Sequence, residues 1–326
     1  MIIANILSAF KETFTLSDAY SVNESVNKES VRARIYENLG KTLERVSRGV
    51  YAIIDGEAIL VEGDGRDLSF LKDKSLDALI TDFPWLDKKS NYGGNRGFTS
   101  SYQENCFEYT LEDFQEKARV LKQGSFLVEC LPAENENNFE MLYKIKKLAQ
   151  AAGFKYYAKV PWIKSGFVAN TGRKAKNSED IMIFSLGEPR CLRVDAKKTK
   201  ATGTLQYMKG TCGMLPTAFE VPPVPRNEVI AQSEKPVELF MQILEYISLE
   251  GELVADTFAG SGAVGVAAVK TKRKCILIEK SKECCKKIRN RFASLKAENL
   301  ITKPVMFKEY EMPAFKVSED GQLALF

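Results

Sequence analysis

Apolar residues recur at two different periods along this chain, and the change of period divides it. In residues 1–55 the spacing is helical. Ile2, Ile6 and Phe10 fall on one face, a second short helix is predicted over Leu16–Tyr20 after Thr15, and a third over Lys28–Leu39. Val31, Ile35 and Leu39 share a face of the third, which stops at Gly40. Residues 43–53 then read as a short strand pair turning at Ser47-Arg48-Gly49. From residue 56 short apolar runs alternate with amphipathic stretches. Strands are predicted at 58–62, 76–81, 125–130 and 155–161, and helices at 111–122 and 138–152. A further amphipathic helix over 235–248 starts at Pro236. It is followed by strand 252–256, a glycine turn, helix 262–270, strand 274–279 and helix 281–294. This order implies an α/β fold, a mostly parallel sheet covered by helices.

Between residues 159 and 226 the pattern weakens and the charge rises. Twelve Lys/Arg face five Asp/Glu there, with Trp162, Phe167, Tyr207 and Phe219 interspersed. Basic residues mixed with aromatics suit phosphate and base contact. The whole chain, 326 residues at a net charge of +4, adds only a mild bias toward a polyanion. Other classes fall away. There is no histidine, which removes histidine bases, Ser-His-Asp triads and histidine-ligated metals. The seven cysteines include no Cys-x-x-Cys, so neither a metal site nor a disulfide scaffold is expected, and no Pro-Cys pair offers a cysteine nucleophile. No apolar run approaches about 18 residues, so no membrane partner is expected. Met1-Ile2-Ile3-Ala4-Asn5 carries no basic leader, which predicts a cytoplasmic protein.

Two strand ends carry the chemistry. The first is Asp82-Phe83-Pro84-Trp85, after the apolar run 76–80 and before the Gly/Asn-rich stretch 91–95. A carboxylate there can accept from an exocyclic amine while the aromatic stacks on a flat heterocycle. The second is Asp256-Thr257-Phe258-Ala259-Gly260-Ser261-Gly262. Its glycines let a ligand approach the backbone, and the following helix offers N–H donors to a carboxylate. Asp256 can accept from an amino group, and Glu279, ending the next strand, from two ribose hydroxyls. Gly260-Ser-Gly262-Ala-Val-Gly265 with an acid 19 positions on also suits a dinucleotide fold. A family resemblance, carried by Asp256, Lys235-Pro236 upstream and Asp82-Phe-Pro-Trp together, favours a methyl donor.

Over residues 58–295 the chain resembles the amino-methyltransferases of nucleic acids, which write N6-methyladenine or N4-methylcytosine. Their first motif is usually Asp-Pro-Pro-Tyr; here it reads Asp-Phe-Pro-Trp. The order of base motif, basic region and cofactor motif resembles the permuted β group, whose variable region recognises the target. Lesser segments fit too: Gly63-Asp64, residues 120–128, Trp162-Ile163-Lys164, residues 178–184 and Gln232-Ser233-Glu234-Lys235-Pro236. The resemblance implies a Rossmann-like methyltransferase fold, a mixed sheet with flanking helices over 56–300, with a target-recognition insert at about 165–228. It implies S-adenosyl-L-methionine as cofactor, held by Asp64, Lys235, Pro236, Asp256, Phe258, Gly260, Ser261, Gly262 and Glu279. The target amine, on a base flipped out of double-stranded DNA, would lie against Asp82 and the carbonyl of Phe83, with Pro84 fixing the turn and Trp85 stacking. Asp at the first position leans toward adenine N6 over cytosine N4. Phe83 departs from the family's proline, and its bulk must find room. The alternative is an inactive core that only binds DNA.

Residues 1–55 resemble a winged helix-turn-helix, with Arg32 and Arg34 on the third helix and Arg45 and Arg48 on the wing as DNA contacts. Lys164, Arg173, Lys174 and Lys176 are the expected contacts of the insert. Residues 301–326 read as a flexible tail. Its end, Gln322-Leu323-Ala324-Leu325-Phe326, resembles the peptide by which bacterial replication and repair proteins dock on the sliding clamp, with Gln322, Leu323, Leu325 and Phe326 as anchors.

Overall fold

In the computed structural model of the protein, the described residues are 2–9, 13–39, 43–47, 50–53, 56–85, 106–165, 177–193, 197–199, 205–231, 233–298, 300–301 and 305–308. Arg48, Arg173, Lys174, Lys176, Gln322, Leu323, Leu325 and Phe326 lie outside them.

The N-terminal elements are α1 (Ile2–Ala9), β1 (Thr13–Thr15), α2 (Leu16–Ser21), α3 (Lys28–Glu37), β2 (Leu43–Ser47) and β3 (Val50–Ile53). Thr15 and Asp18 form a capping box that starts α2, and Asn27 caps α3 through the Ser30 N–H. The three strands make an antiparallel sheet in the order β1-β3-β2. Strand β1 has no counterpart in the sequence reading; its three residues are too few to show a period. Ile6, Phe14, Ala19, Val31, Ile35 and Leu43 form a small core of their own.

The rest is one layered α/β unit. Its elements are β4 (Glu57–Glu62), β5 (Leu76–Thr81), α4 (Leu111–Val120), β6 (Leu121–Pro132), α5 (Phe139–Ala151), β7 (Phe154–Ile163) and β8 (Ser178–Leu186). Then come β9 (Lys197–Thr199), β10 (Leu205–Tyr207), β11 (Phe219–Glu220), α6 (Val237–Ile247), β12 (Leu253–Asp256), α7 (Ala263–Lys270), β13 (Lys274–Glu279), α8 (Lys282–Ala297) and β14 (Met306–Lys308). The main sheet runs β11-β7-β8-β6-β5-β12-β13-β4-β14. Strand β8 is antiparallel to both neighbours and the other pairs are parallel. Side chains alternate between faces. Ala78 and Ile80 of β5 join a core with α6, α7 and α8, whereas Leu79 joins one with α4 and α5; Leu76 joins the latter too, across a register shift between Leu76 and Ala78. Among the described residues no helix is long and apolar enough to cross a membrane.

Two boundaries differ from the sequence reading. The tail is expected from residue 301, but Met306–Lys308 pair with β4, and Val305 and Phe307 pack on the core. The Arg289 guanidinium sits 4.0 Å from the Phe307 ring centroid, a contact that local sequence cannot show. The basic insert also returns to the sheet: β11 pairs with β7, and Trp162 Nε1–H donates to the Val221 carbonyl at 2.8 Å.

Candidate active site

Four neighbouring parallel strands, β5, β12, β13 and β4, end on one edge of the sheet. Asp82, Asp256, Glu279 and the Gly63-Asp64 step therefore share that edge, where ligands bind in open α/β sheets. A cavity of about 1070 Å³ opens there. It is lined by Asp64, Asp82, Phe83, Pro84, Trp85, Lys235, Asp256, Phe258, Gly260, Ser261 and Glu279, so residues from 64 to 279 in sequence meet in one place. Pro236 and Gly262, expected at the cofactor, are not on the lining: Pro236 is the N-cap of α6, and Gly262 the N-cap of α7 at φ +75°. Gly65 is also needed, because a Cβ there would lie 1.7 Å from the Thr257 carbonyl oxygen.

The glycine turn is held in place by acids. Glu279 Oε2 accepts from the Gly260 N–H at 2.8 Å and its Oε1 from the Ser281 N–H at 2.7 Å. Asp256 Oδ1 accepts from the Phe258 N–H at 3.0 Å. Burial pushes the Asp256 carboxyl up to about 8, against that hydrogen bond, and the nearby Asp82 and Glu279 add to the rise. Burial likewise raises Glu279. A cationic group arriving beside Asp256 would favour its ionised form and draw that value down. Arg291 binds Glu234 at 2.7 Å and the Ser261 carbonyl at 3.1 Å, tying α8 to the turn.

Around Asp82 the charges are paired. Lys235 Nζ lies 2.5 Å from Asp82 Oδ2 and 3.1 Å from Glu179 Oε2, and Lys164 Nζ lies 2.7 Å from Glu179 Oε1. Lys235, expected to hold the cofactor, lines the cavity with its ammonium on the target-site acid. Lys164, expected to contact DNA, pairs with Glu179. Burial raises the Asp82 carboxyl; Lys235 opposes the rise and Glu179 adds to it. Burial disfavours charge on Lys235, yet Asp82 and Glu179 outweigh it and hold the ammonium above the ordinary lysine range.

Phe83 has found its room. The side chain is buried, with ring centroids 4.3 Å from Tyr109 and 5.5 Å from Phe107. Beneath it Tyr109 O–H donates to Glu129 Oε2 at 3.3 Å, and Lys117 Nζ donates to Glu129 Oε1 at 2.6 Å. Thr81 links to the Tyr109 hydroxyl at 3.4 Å and accepts from Thr257 Oγ1 at 3.3 Å. This buried chain joins the strand ends that precede Asp82 and follow Asp256. Sequence reasoning missed it, and missed Glu179, Arg66 and Phe107 on the cavity wall. The Arg66 guanidinium lies 4.8 Å from the Phe107 ring centroid and pairs with Asp113 at 2.9 Å.

The donor set suits a cation. Among the described residues seven acids and four bases line the cavity: Asp64, Asp82, Glu179, Glu234, Asp256, Glu279 and Glu283 against Arg66, Lys235, Lys280 and Lys287. A dinucleotide pyrophosphate would meet an excess of like charge, whereas an amino acid sulfonium would meet a favourable field. The residues thus fit S-adenosylmethionine.

Known proteins agree with this architecture. Residues 76–290 match a family model described as DNA methylase, the N6/N4 methyltransferases. The type II methyltransferase M2.DpnII of Streptococcus pneumoniae is 24% identical over 262 residues, covering 74% of this chain and 90% of that protein. TTHA0409 from Thermus thermophilus, solved in complex with S-adenosyl-L-methionine, superposes with a TM-score of 0.51 at 18% identity, covering 78% of this chain and 98% of that one. The cytosine-N4-specific PvuII DNA methyltransferase gives a TM-score of 0.52 at 16% identity, covering 73% of this chain and 86% of that one. With about two thirds of its length matched in the order the strands require, this chain belongs to the N6/N4 DNA methylase family.

Proposed function

We propose that this S-adenosylmethionine-dependent DNA amino-methyltransferase acts on the N6 amine of an adenine flipped out of the duplex. The observation that carries the reading is the shared cavity: Asp82, with Oδ2 held by Lys235, opens onto the same space as Asp256 and Glu279. S-adenosylmethionine, when bound, supplies an electrophilic methyl group on a sulfonium.

The protein's own groups bind, orient and polarise. Asp256 would accept from the cofactor's amino group, Glu279 from its ribose hydroxyls, and Asp64 would lie near its adenine. Lys280 lies 3.3 Å from Asp64. At the target, Asp82 Oδ1 and the Phe83 carbonyl accept from the base amine. Two acceptors draw the nitrogen toward tetrahedral geometry and free its lone pair for in-line attack. Trp85, partly buried against the core, offers a face for the base. Cytosine N4 is the second reading, and the likeness to PvuII DNA methyltransferase favours it. Sequencing that reports modified bases, on DNA from cells expressing wild type or Asp82→Ala, tests both. One motif methylated at adenine and lost in the variant supports the proposal; methylated cytosine selects the second reading; no modification in either leaves a DNA-binding core without activity.

Glu279 offers a test of the cofactor half. Glu279→Gln replaces one acceptor by a donor facing the Gly260 or Ser281 N–H and removes a charge from the ribose site. Cofactor affinity is expected to fall about 10- to 100-fold, the loss of one or two hydrogen bonds to a charged group. Calorimetric titration with S-adenosylmethionine measures it; unchanged affinity would remove Glu279 from the site.

The N-terminal module reads as a winged-helix DNA contact. Arg32, Arg34 and Arg45 are exposed on α3 and β2, although Arg34 also pairs with Glu37. The C-terminal peptide 322–326 would dock on a bacterial sliding clamp and couple methylation to newly replicated DNA. Deleting those five residues should abolish clamp pull-down while leaving methyl transfer to free DNA intact; a clamp interaction that survives deletion ends this idea.

A further inference from the structure

Four charged side chains from four separate segments meet beside the target-site acid. Asp82 follows β5, Lys164 follows β7, Glu179 lies on β8 and Lys235 precedes α6. Lys235 is 4% exposed, and its ammonium is paired with two carboxylates. Glu179 Oε2 is buried and makes no well-aligned hydrogen bond; at 3.1 Å its link to Lys235 is ionic. Lys164 holds the other oxygen, Oε1, at 2.7 Å, which leaves Oε2 facing Lys235.

The geometry points to Glu179 as a positioning residue that fixes Lys235, so that the lysine binds Asp82 Oδ2 and leaves Oδ1 to the target amine. The inference rests on the reading of Asp82 as an amine acceptor. With a single carboxylate partner, an ammonium can sit on either oxygen or bridge both. A second carboxylate on its far side fixes one arrangement.

Charge balance gives Glu179 a second effect. Two acids and two bases make a neutral quartet. As the amine nitrogen bonds to the methyl carbon and the sulfur–carbon bond breaks, sulfur leaves as a neutral thioether and positive charge moves onto that nitrogen, which then releases one proton to solvent. Without Glu179 the quartet carries an uncompensated positive charge next to it, in a site where charges are weakly screened.

The titration of Asp82 offers an independent readout. Lys235, Glu179 and Lys164 face it, as do Glu129 and Cys130 of β6 and Asp256 of β12. Glu179 is a like charge and favours the protonated form of Asp82. Removing that charge lowers the pH at which Asp82 ionises.

The test is Glu179→Gln in the full-length protein, with methyl transfer to duplex DNA followed against pH, cofactor affinity by calorimetry and thermal unfolding. We expect kcat to fall about 10- to 100-fold, the range for a misplaced catalytic geometry. Cofactor affinity stays at the wild-type value, and the acid limb of kcat/KM moves to lower pH. An unchanged kcat with active wild type overturns the role of Glu179 alone. A loss of kcat with an unmoved acid limb and a parallel fall in melting temperature assigns Glu179 to folding and also overturns it. Wild type without methyl transfer overturns the functional reading, and this inference with it.

Discussion

Asp82→Ala is expected to lower methyl transfer by about 1000-fold or more, equivalent to about 4 kcal/mol of transition-state stabilisation. Cofactor affinity should change little, because Asp256, Glu279 and the glycine turn are untouched. The magnitude follows from the nucleophile. The amine's lone pair is delocalised into the base ring, so its reactivity depends on acceptors that draw it out of plane. Alanine removes the charged one of the two proposed. It also leaves Lys235 with Glu179 as its carboxylate partner. The quartet of charges then becomes net positive beside a nitrogen that must itself become positive. The fold should survive, since Lys235 keeps one buried counter-charge and Phe83 keeps its contacts with Tyr109 and Phe107. Transfer of labelled methyl groups to duplex DNA, alongside calorimetry with the cofactor, measures both halves. A variant that retains wild-type kcat would remove Asp82 from the chemistry. A variant that loses cofactor affinity by the same factor would place Asp82 in the cofactor site instead.

What the sequence shows well is local. Strands buried on both faces read as mostly apolar runs, so 76–81, interrupted by Asp77, and 274–279 are legible at their observed limits. The motifs at their ends are legible because glycine, proline and acids mark a chain reversal wherever it occurs. Pairing across the sheet is not. Lys235 and Asp82 are 153 residues apart, and only the strand order β6-β5-β12 sets the distance between their segments. A lysine before a helix-starting proline looks the same in sequence whether it faces a cofactor or an acid. Phe83 poses a similar problem: its bulk is accommodated by Phe107 and Tyr109, which arrive from the segment ahead of α4. The strand β14 falls in a stretch that reads as tail because three residues carry no period, while its partner β4 lies about 250 residues earlier.

The Lys117–Glu129 pair should have the largest effect on stability. Its side chains are 3% and 0% exposed, and Lys117 Nζ sits 3.7 Å from the Tyr109 ring centroid and 4.7 Å from that of Phe114. Burial works against both charges, lowering Lys117 and raising Glu129, and each group opposes the other's shift. Lys117→Met leaves Glu129 buried without a counter-charge, at a cost of roughly 3–5 kcal/mol. The variant can relieve part of that cost by keeping Glu129 protonated. A carboxyl that ionises higher in the folded than in the unfolded state loses stability as pH rises above its unfolded value. Urea unfolding of Lys117→Met should therefore show a larger deficit at pH 8 than at pH 5.5. Adding Glu129→Gln should restore most of the loss and flatten the pH dependence, because the buried charge is gone. The same chain bears on function, since Tyr109 supports Phe83 and its hydroxyl links Glu129 to Thr81, the residue before Asp82. Lys117→Met should thus reduce kcat even at temperatures where the variant remains folded. Equal stability of variant and wild type at both pH values would show that the pair contributes nothing net and that the polar chain under the target site is dispensable.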